Sequence, residues 1–228
     1  MLIYKFNERL TNAIFSKRLN KFLVEVSIDG KVDYAHLHDP GRLKKILKKG
    51  RNLLLVEREG KRKTKYDVIS AYINEWIFIH SGYHSFFAEK ILKEKLIEEL
   101  QEYEIEKREY KYEKSRIDFL LSNEKKCLLE VKGCTLVRER VALFPDAPTS
   151  RGYKHIVELI DAGKKGYDTA ILFLIMRKAD YFSPNYETDK KFSDALKTAF
   201  QKNAKILACR LEFNGESVYY NGRVPVVI

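Results

Sequence analysis

The chain has 228 residues, which is enough for one large domain or two small ones, each with its own hydrophobic core. Hydrophobic residues make up 45% of it and charged residues 33%, a balance typical of soluble globular proteins. The excess of 43 Lys and Arg over 32 Asp and Glu gives a net charge of +11, which favours an anionic polymer or an anionic surface as the partner.

Simple patterns exclude several classes of protein. The longest uninterrupted apolar run, residues 170–176, is far shorter than the roughly 20 residues that span a bilayer. The first residues lack the layout of a signal peptide. The three cysteines show no CxxC or Cys/His spacing, which argues against a disulfide framework and against a zinc knuckle. The expected location is therefore cytoplasmic, with no membrane partner.

The first 80 residues predict a small β-barrel. Its strands are predicted from short apolar runs at residues 23–28, 32–37, 53–56, 65–71 and 75–80. Asp29 and Gly30 predict a hairpin turn, and residues 42–48 predict a brief helix closed by Gly50. Such an arrangement is typical of an OB-like barrel, a fold that commonly binds nucleic acid on one face.

Basic side chains are dense between residues 42 and 65, where only Glu57 and Glu59 oppose them. Such a run is either a solvated face or a surface that contacts the phosphate backbone of DNA, without sequence specificity. The residues expected to contact nucleic acid are Arg42, Lys44, Lys45, Lys48, Arg51, Arg62 and Lys63 here, and Arg116, Arg151, Lys154 and His155 further along the chain.

A polar segment, His-Leu-His-Asp-Pro-Gly at residues 36–41, precedes this run. His36 and His38 share a face if they lie in a strand, and together with Asp39 they could ligate a metal ion. The same segment is typical of a turn beside a satisfied histidine pair, and phosphate contact by Arg42 and a histidine is a third alternative. The sequence favours the turn.

Residues 81–228 predict a second domain of mixed helices and strands. The predicted elements are a helix at 86–100, strands at 105–112, 115–121 and 127–133, a helix from Thr149 or Ser150 to about 162, a strand at 169–176, a helix at 189–202, and strands at 206–213, 218–220 and 224–228. This order indicates an α/β sandwich. The expected fold class is therefore α/β (α+β), with an OB-like DNA-binding barrel at residues 1–80 and a second α/β domain at 81–228.

Three charged residues lie in the otherwise apolar hairpin of this second domain. Asp118 is in its first strand, and Glu130 and Lys132 are in its second. In an antiparallel hairpin the numbers of paired residues sum to a constant, so a loop centred on Glu124 places Asp118 directly across from Glu130. Lys132 shares their face. Two carboxylates this close repel each other unless a cation or a proton lies between them.

This arrangement predicts a site for Mg²⁺ or Mn²⁺, because hard cations prefer oxygen ligands. Its expected ligands are Asp118, Glu130 and the carbonyl of Val131. The ion would polarise a phosphate and activate a water molecule, and Lys132 would orient that water or neutralise charge on the phosphate.

The wider sequence around the hairpin resembles the sugar fermentation stimulation protein A family. The segments that carry the resemblance are SRIDF at 115–119, EVKGCTL at 130–136, FPDAPTSRGYKH at 144–155 and FSP at 182–184. The pair of strands itself resembles the PD-(D/E)xK nuclease core. The resemblance implies an N-terminal OB-like domain, a C-terminal PD-(D/E)xK nuclease-like domain and DNA binding. It also implies Asp118, Glu130 and Lys132 as the nuclease-like triad.

Two functions of different classes fit these residues. In the first, the chain is a Mg²⁺-dependent DNA nuclease that hydrolyses phosphodiester bonds and holds DNA without strong sequence specificity. In the second, it is a non-catalytic DNA-binding regulatory protein of the sugar fermentation stimulation type. The complete triad favours catalysis. A homodimer would supply the two sites that duplex cleavage needs, although no interface can be read from one chain.

Overall fold

The computed structural model describes all 228 residues, which divide into two compact units. The first unit comprises Met1–Tyr83 and Leu211–Tyr220, and the second comprises His84–Arg210 and Asn221–Ile228. None of the helices combines the length and the apolar composition that a membrane span requires.

The first unit contains a closed barrel. The strands of this unit are β1 (Leu2–Lys5), β2 (Leu10–Arg18), β3 (Leu23–Ile28), β4 (Lys31–His36), β5 (Asn52–Glu57), β6 (Tyr66–Tyr72) and β7 (Trp76–Phe78). Antiparallel pairs join β2 to β3, β3 to β4, β2 to β5 and β5 to β6, and a parallel pair between β4 and β6 closes the circle. The barrel thus consists of the five strands β2 to β6, and its closure and strand order confirm the expected OB-like barrel.

The prediction of a helix at residues 42–48 is wrong, because this segment forms turns. Leu43 has a positive φ of 48°, which no helix accommodates. Leu43, Ile46 and Leu47 are buried, while the lysines between and after them are exposed. The spacing of three and four residues between these apolar side chains therefore comes from a loop that is anchored by their burial, and not from a helix. So short a segment does not recover the cost of nucleating a helix.

The second unit is an α/β domain. Its strands are β8 (Glu104–Tyr112), β9 (Ser115–Ser122), β10 (Lys126–Cys134), β11 (Val137–Arg138), β12 (Val141–Phe144), β13 (Asp168–Ile175) and β14 (Tyr181–Pro184), and its helices are α1 (His84–Lys93), α2 (Ser150–Lys164) and α3 (Lys190–Gln201). The chain ends with β15 (Lys205–Phe213) and β16 (Ser217–Arg223). Strands β10, β13 and β15 pair in parallel, while β9 and β8 continue the sheet as antiparallel strands. Apolar residues of α2 and α3 pack against the sheet in one core, so the expected α/β class is confirmed.

Helix α1 is shorter than the helix predicted at residues 86–100. It ends at Lys93, and Lys95 adopts a positive φ of 53°. Ile97 and Leu100 are nevertheless buried, from a turn that follows the helix. The apolar periodicity thus continues beyond the point where the backbone stops being helical.

The C-terminal residues also differ from the expectation. The segment 211–220 belongs to the first unit rather than to the second domain, because Phe213 pairs with Trp76 and β16 pairs with β1. The strand predicted at 224–228 is reduced to a single bridge at Val226.

Candidate metal centre

The hairpin of β9 and β10 pairs in the register that the sequence predicts, as far as the pair Leu129 and Phe119. The ladder stops there, one residue before Glu130 would meet Asp118, whereas β10 goes on pairing with β13 on its other side. The backbone N–H of Val131 donates instead to Oδ2 of Asp118 at 2.7 Å. A side-chain carboxylate therefore takes the place of a strand carbonyl where the two strands separate.

Asp118 is held at this position by two donors. Its Oδ2 accepts from the Val131 amide, and its Oδ1 accepts from the Ser85 hydroxyl at 3.3 Å. Burial, together with the charge of Glu130, raises the pKa of Asp118 to about 6, although the amide of Val131 and the charge of Lys132 act in the opposite direction.

Glu130 is fully buried and its two oxygens have different surroundings. Nζ of Lys132 and Nδ1 of His155 each lie 2.5 Å from Oε1. Burial alone would raise the pKa of Glu130, but these two basic groups outweigh it and hold the pKa below its ordinary value. The other oxygen, Oε2, is buried and has no hydrogen-bond partner.

The unpartnered Oε2 of Glu130 fits a cation. A buried acceptor without a partner costs free energy, and a cation would remove that cost. In a strand, the N–H and C=O of one residue point to the same side, so the carbonyl of Val131 faces the side on which Asp118 receives its N–H. All three ligands expected from the sequence are therefore oxygens that Mg²⁺ or Mn²⁺ accepts.

Helix α2 brings His155 to this site but not its basic neighbours. His155 is buried against Glu130, while Arg151 and Lys154 are exposed. His155 and Leu159, one turn apart, are both buried and so lie on the inward side of the helix. The exposed position expected for His155 beside a DNA phosphate is therefore not observed.

Two residues at the start of α1, His84 and Ser85, also contribute to the surroundings of the hairpin. Ser85 donates to Asp118, and the ring of His84 lies so close to Gly133 that a Cβ there would be 2.1 Å from its Cε1. No spacing rule connects the start of α1 with β10, so the sequence does not indicate these contacts. The only local signal is a glycine directly after Lys132.

The other basic residues occupy several loops and strands. In the first unit, the residues expected to bind nucleic acid are Arg42, Lys44, Lys45, Lys48 and Arg51 between β4 and β5, and Arg62 and Lys63 between β5 and β6. Five members of the whole set have side-chain partners within the protein, including His155 on Glu130 and Lys154, whose Nζ donates to the carbonyl of Lys114 at 2.9 Å and lies 3.6 Å from Glu158. Arg51 donates to the carbonyl of Tyr72 at 3.2 Å, and Arg62 lies 2.5 Å from a carboxylate oxygen. In the second unit, Arg116 pairs with Glu109 at 3.2 Å.

His36, His38 and Asp39, the metal ligands considered from the sequence, do not form one ligand cluster in the structure. Oδ1 of Asp39 accepts from the amide of Gly41 at 2.7 Å, which is the favoured turn. His38 instead lies beside Asp67 and His80, two residues from distant parts of the first unit.

Comparisons with known proteins agree with this architecture. A family model described as the sugar fermentation stimulation protein RE domain matches residues 82–217, and one described as the SfsA N-terminal OB domain matches residues 17–79. A sugar fermentation stimulation protein homolog from Methanothermobacter thermautotrophicus is 44% identical over 211 residues, covering 91% of this chain and 88% of the relative. Another from Thermosipho melanesiensis is 42% identical over 218 residues, covering 95% and 94%.

The fold is also similar to that of a solved structure. The structure of Pyrococcus furiosus SfsA in complex with Ca²⁺ superimposes with a TM-score of 0.93 at 29% identity, covering 100% of both chains. The family resemblance read from the hairpin and its flanking segments is thereby confirmed. The chain belongs to the sugar fermentation stimulation protein family.

Proposed function

We propose that the chain binds DNA and hydrolyses its phosphodiester bonds at a divalent cation held by Asp118 and Glu130. The observation that supports this is the difference between the surroundings of the two carboxylate oxygens of Glu130. One oxygen accepts from two basic groups, and the other is buried without a partner beside a second carboxylate. The Pyrococcus furiosus relative was solved in complex with Ca²⁺, a hard cation that takes the same kind of oxygen ligands as Mg²⁺.

Each residue of the site has a distinct task in this proposal. Asp118 and Glu130 would hold the ion, together with the carbonyl of Val131. When bound, Mg²⁺ or Mn²⁺ supplies a Lewis acid that polarises the phosphate and lowers the pKa of a water molecule. Lys132, whose side chain is 17% exposed, places a positive charge where negative charge develops on the attacked phosphate. His155 fixes Oε1 of Glu130 and so keeps Oε2 available.

DNA would be held mainly through its backbone. The net charge of +11 and the exposed lysines between β4 and β5 favour phosphate contacts, which carry no sequence information. The loop between β5 and β6, which carries Lys63, joins the fourth and fifth strands of the barrel. In OB folds this loop commonly borders the nucleic-acid site. The expected binding is therefore strong at low salt and weakly selective for sequence.

A second candidate function is that of a DNA-binding regulatory protein that does not cleave. The observation that favours it is the close pairing of Lys132 with Glu130, which commits the lysine to a carboxylate rather than to a phosphate. In this alternative, the same residues bind DNA and an ion, and no bond is broken.

A cleavage assay with matched variants separates the two functions. Pure protein is incubated with single-stranded, duplex and branched DNA in Mg²⁺, Mn²⁺ or EDTA. We expect cleavage that requires metal and falls by at least about 100-fold in Glu130→Gln and in Lys132→Ala. Glu124→Gln, an exposed acid in the turn of the same hairpin, should keep full activity. Binding of all three DNAs without cleavage in any metal would reject catalysis and leave the regulatory function.

A further inference from the structure

A cluster of imidazole and carboxylate groups lies in the first unit, apart from the residues of the hairpin. His38 comes two residues after β4, Asp67 is in β6 and His80 comes two residues after β7. Nε2 of His38 is 3.3 Å from Oδ2 of Asp67, and Nε2 of His80 is 3.8 Å from the same oxygen. The three residues can each offer one ligand atom, and these atoms all lie within 4.8 Å of one another.

The ring nitrogens of this cluster lack the hydrogen bonds that buried groups normally make. His80 is only 5% exposed, and neither of its ring nitrogens has a hydrogen-bond partner. Nε2 of His38 is likewise buried and does not meet Asp67 in hydrogen-bond geometry. Buried polar groups without partners are rare and costly, and they call for an explanation. An ion that accepts both imidazoles would provide one.

We propose that His38, Asp67 and His80 bind a transition-metal ion such as Zn²⁺. Zinc takes histidine nitrogen and aspartate oxygen at about 2.0–2.2 Å, so neighbouring ligand atoms of a tetrahedral site are separated by roughly 3.3 Å. The observed 3.3 and 3.8 Å are close to this value, and the stacked rings of His38 and His80, 3.8 Å apart, would have to rotate for both nitrogens to point to one ion. Two imidazoles and one carboxylate leave a fourth position for water, and such a donor set selects zinc or a similar metal over Mg²⁺. This site is independent of the proposed function of the hairpin.

Two arginines complete the surroundings of Asp67. Arg62 lies 2.5 Å from its Oδ1, and Nε of Arg58 lies 3.3 Å from its Oδ2. Without an ion the two arginines balance the negative charge of the buried carboxylate. With an ion on Oδ2, Arg62 would remain on Oδ1 as the outer hydrogen-bond partner that orients a metal-bound carboxylate. Nε of Arg58 and Nη1 of Arg62, each 3.3 Å from Oδ2, would compete with the ion, which favours a moderate affinity over a very tight one.

Titration of the chelator-treated protein with Zn²⁺ tests the proposal, with Mg²⁺ in excess to occupy the carboxylate site. Calorimetry gives the number of bound equivalents, and the visible absorption of Co²⁺ in place of Zn²⁺ reports tetrahedral nitrogen and oxygen ligation. We expect one equivalent of Zn²⁺. The affinity for Zn²⁺ should fall by at least about tenfold in His38→Ala. This is a lower bound, because removal of an outer hydrogen-bond partner alone can weaken metal binding by about that factor.

The variants are chosen so that misfolding does not mimic loss of the site. His80→Ala should lose the same equivalent, and because His80 is buried, its thermal melting curve is recorded beside that of His38→Ala, whose ring is partly exposed. His36→Ala is the matched control, since His36 touches the ring of His38 but is outside the ligand set. His36→Ala and Glu130→Gln should both keep the equivalent. Absence of Zn²⁺ binding, or its loss in Glu130→Gln with retention in His38→Ala, would overturn the proposal.

Discussion

Asp118 and Glu130 lie in one hairpin, yet their surroundings shift their pKa values in opposite directions. For Asp118, burial and the neighbouring negative charge outweigh an amide, a lysine and a hydroxyl. For Glu130, Lys132 and His155 outweigh burial. When the pair carries a single proton, that proton is therefore on Asp118. Above the pKa of Asp118 both groups are charged, and a divalent cation is the natural replacement for the proton.

The stability of the protein should depend on pH through Asp118. Its ordinary pKa of 3.8 rises to about 6 on folding, so between these values the folded state binds more protons than the unfolded state. The stability that Asp118 contributes is fully present below pH 3.8. It falls as the pH rises from 3.8 to about 6, and it is lost above about pH 6. In EDTA, Asp118→Asn should therefore raise the free energy of unfolding at pH 7.5 by about 1–3 kcal/mol and change little at pH 3.5. Urea unfolding at both pH values measures this.

Added Mg²⁺ should make the wild type more stable than Asp118→Asn, the reverse of the order expected in EDTA. An ion that binds only the folded state stabilises it in proportion to the logarithm of its concentration, and the asparagine variant lacks one ligand charge. The wild type should therefore gain more from Mg²⁺ than Asp118→Asn does. Glu124→Gln, in the exposed turn, should behave as the wild type throughout. A variant that is less stable than the wild type in EDTA at pH 7.5 would contradict the raised pKa.

At the scale of elements, the hairpin β9–β10 is predictable because its determinants are local. Three residues separate its strands, so the turn and the apolar alternation together fix the register as far as Leu129 and Phe119. The partners of its charged residues come from elsewhere in the chain. His155 and Ser85 belong to different helices, and only the tertiary fold brings them to the hairpin.

The histidine cluster shows the same limit more sharply. The sequence offers His36 and Asp39 as companions of His38 because they are its neighbours, whereas closure of the barrel brings Asp67 and His80 to it. Local pattern can also give the wrong element. The apolar spacing at 42–48 fits a helix, yet the segment is a loop with buried side chains. The apolar pattern of this segment therefore predicts correctly which side chains are buried, but it does not predict the backbone conformation that buries them.

Strand β10 and the start of α1 approach each other at Gly133, where a side chain has no space. A Cβ would lie 2.1 Å from Cε1 and 2.6 Å from Nε2 of His84. We expect Gly133→Ala to displace the His84 ring and to lower the free energy of unfolding by about 1–3 kcal/mol, as overpacking does. Thermal denaturation measures the loss.

A double variant identifies the cause of that loss. Combining Gly133→Ala with His84→Ala removes the clash and should recover most of the stability, so the two changes should be strongly non-additive. Gly163→Ala is the matched control. It lies in α2 with nothing within 4 Å of the added Cβ, and it should be neutral or stabilising by up to about 1 kcal/mol. Additive effects at residues 84 and 133 would show that the loss has another origin.

At the scale of the whole molecule, a net charge of +11 attracts any polyanion in any orientation, and the proposed DNA-binding surface must be distinguished from this general attraction. The loop between β4 and β5 presents Lys44, Lys45 and Lys48 to solvent, without carboxylate partners. Replacing all three by Gln should weaken binding to duplex DNA. The slope of log K against log salt should become shallower by about 0.9 for each lost phosphate contact.

A second triple variant with the same loss of charge provides the comparison. Lys90, Lys93 and Lys190 are each paired with an acid one helical turn away, at 2.6–2.8 Å. Their replacement by Gln lowers the net charge equally but leaves the loop intact, so the salt slope should remain close to that of the wild type. Fluorescence anisotropy with labelled DNA at several salt concentrations gives both slopes. Equal changes in the two variants would mean that net charge attracts the DNA and that this loop does not hold it, whereas a change confined to the loop variant would identify the loop as part of the binding surface.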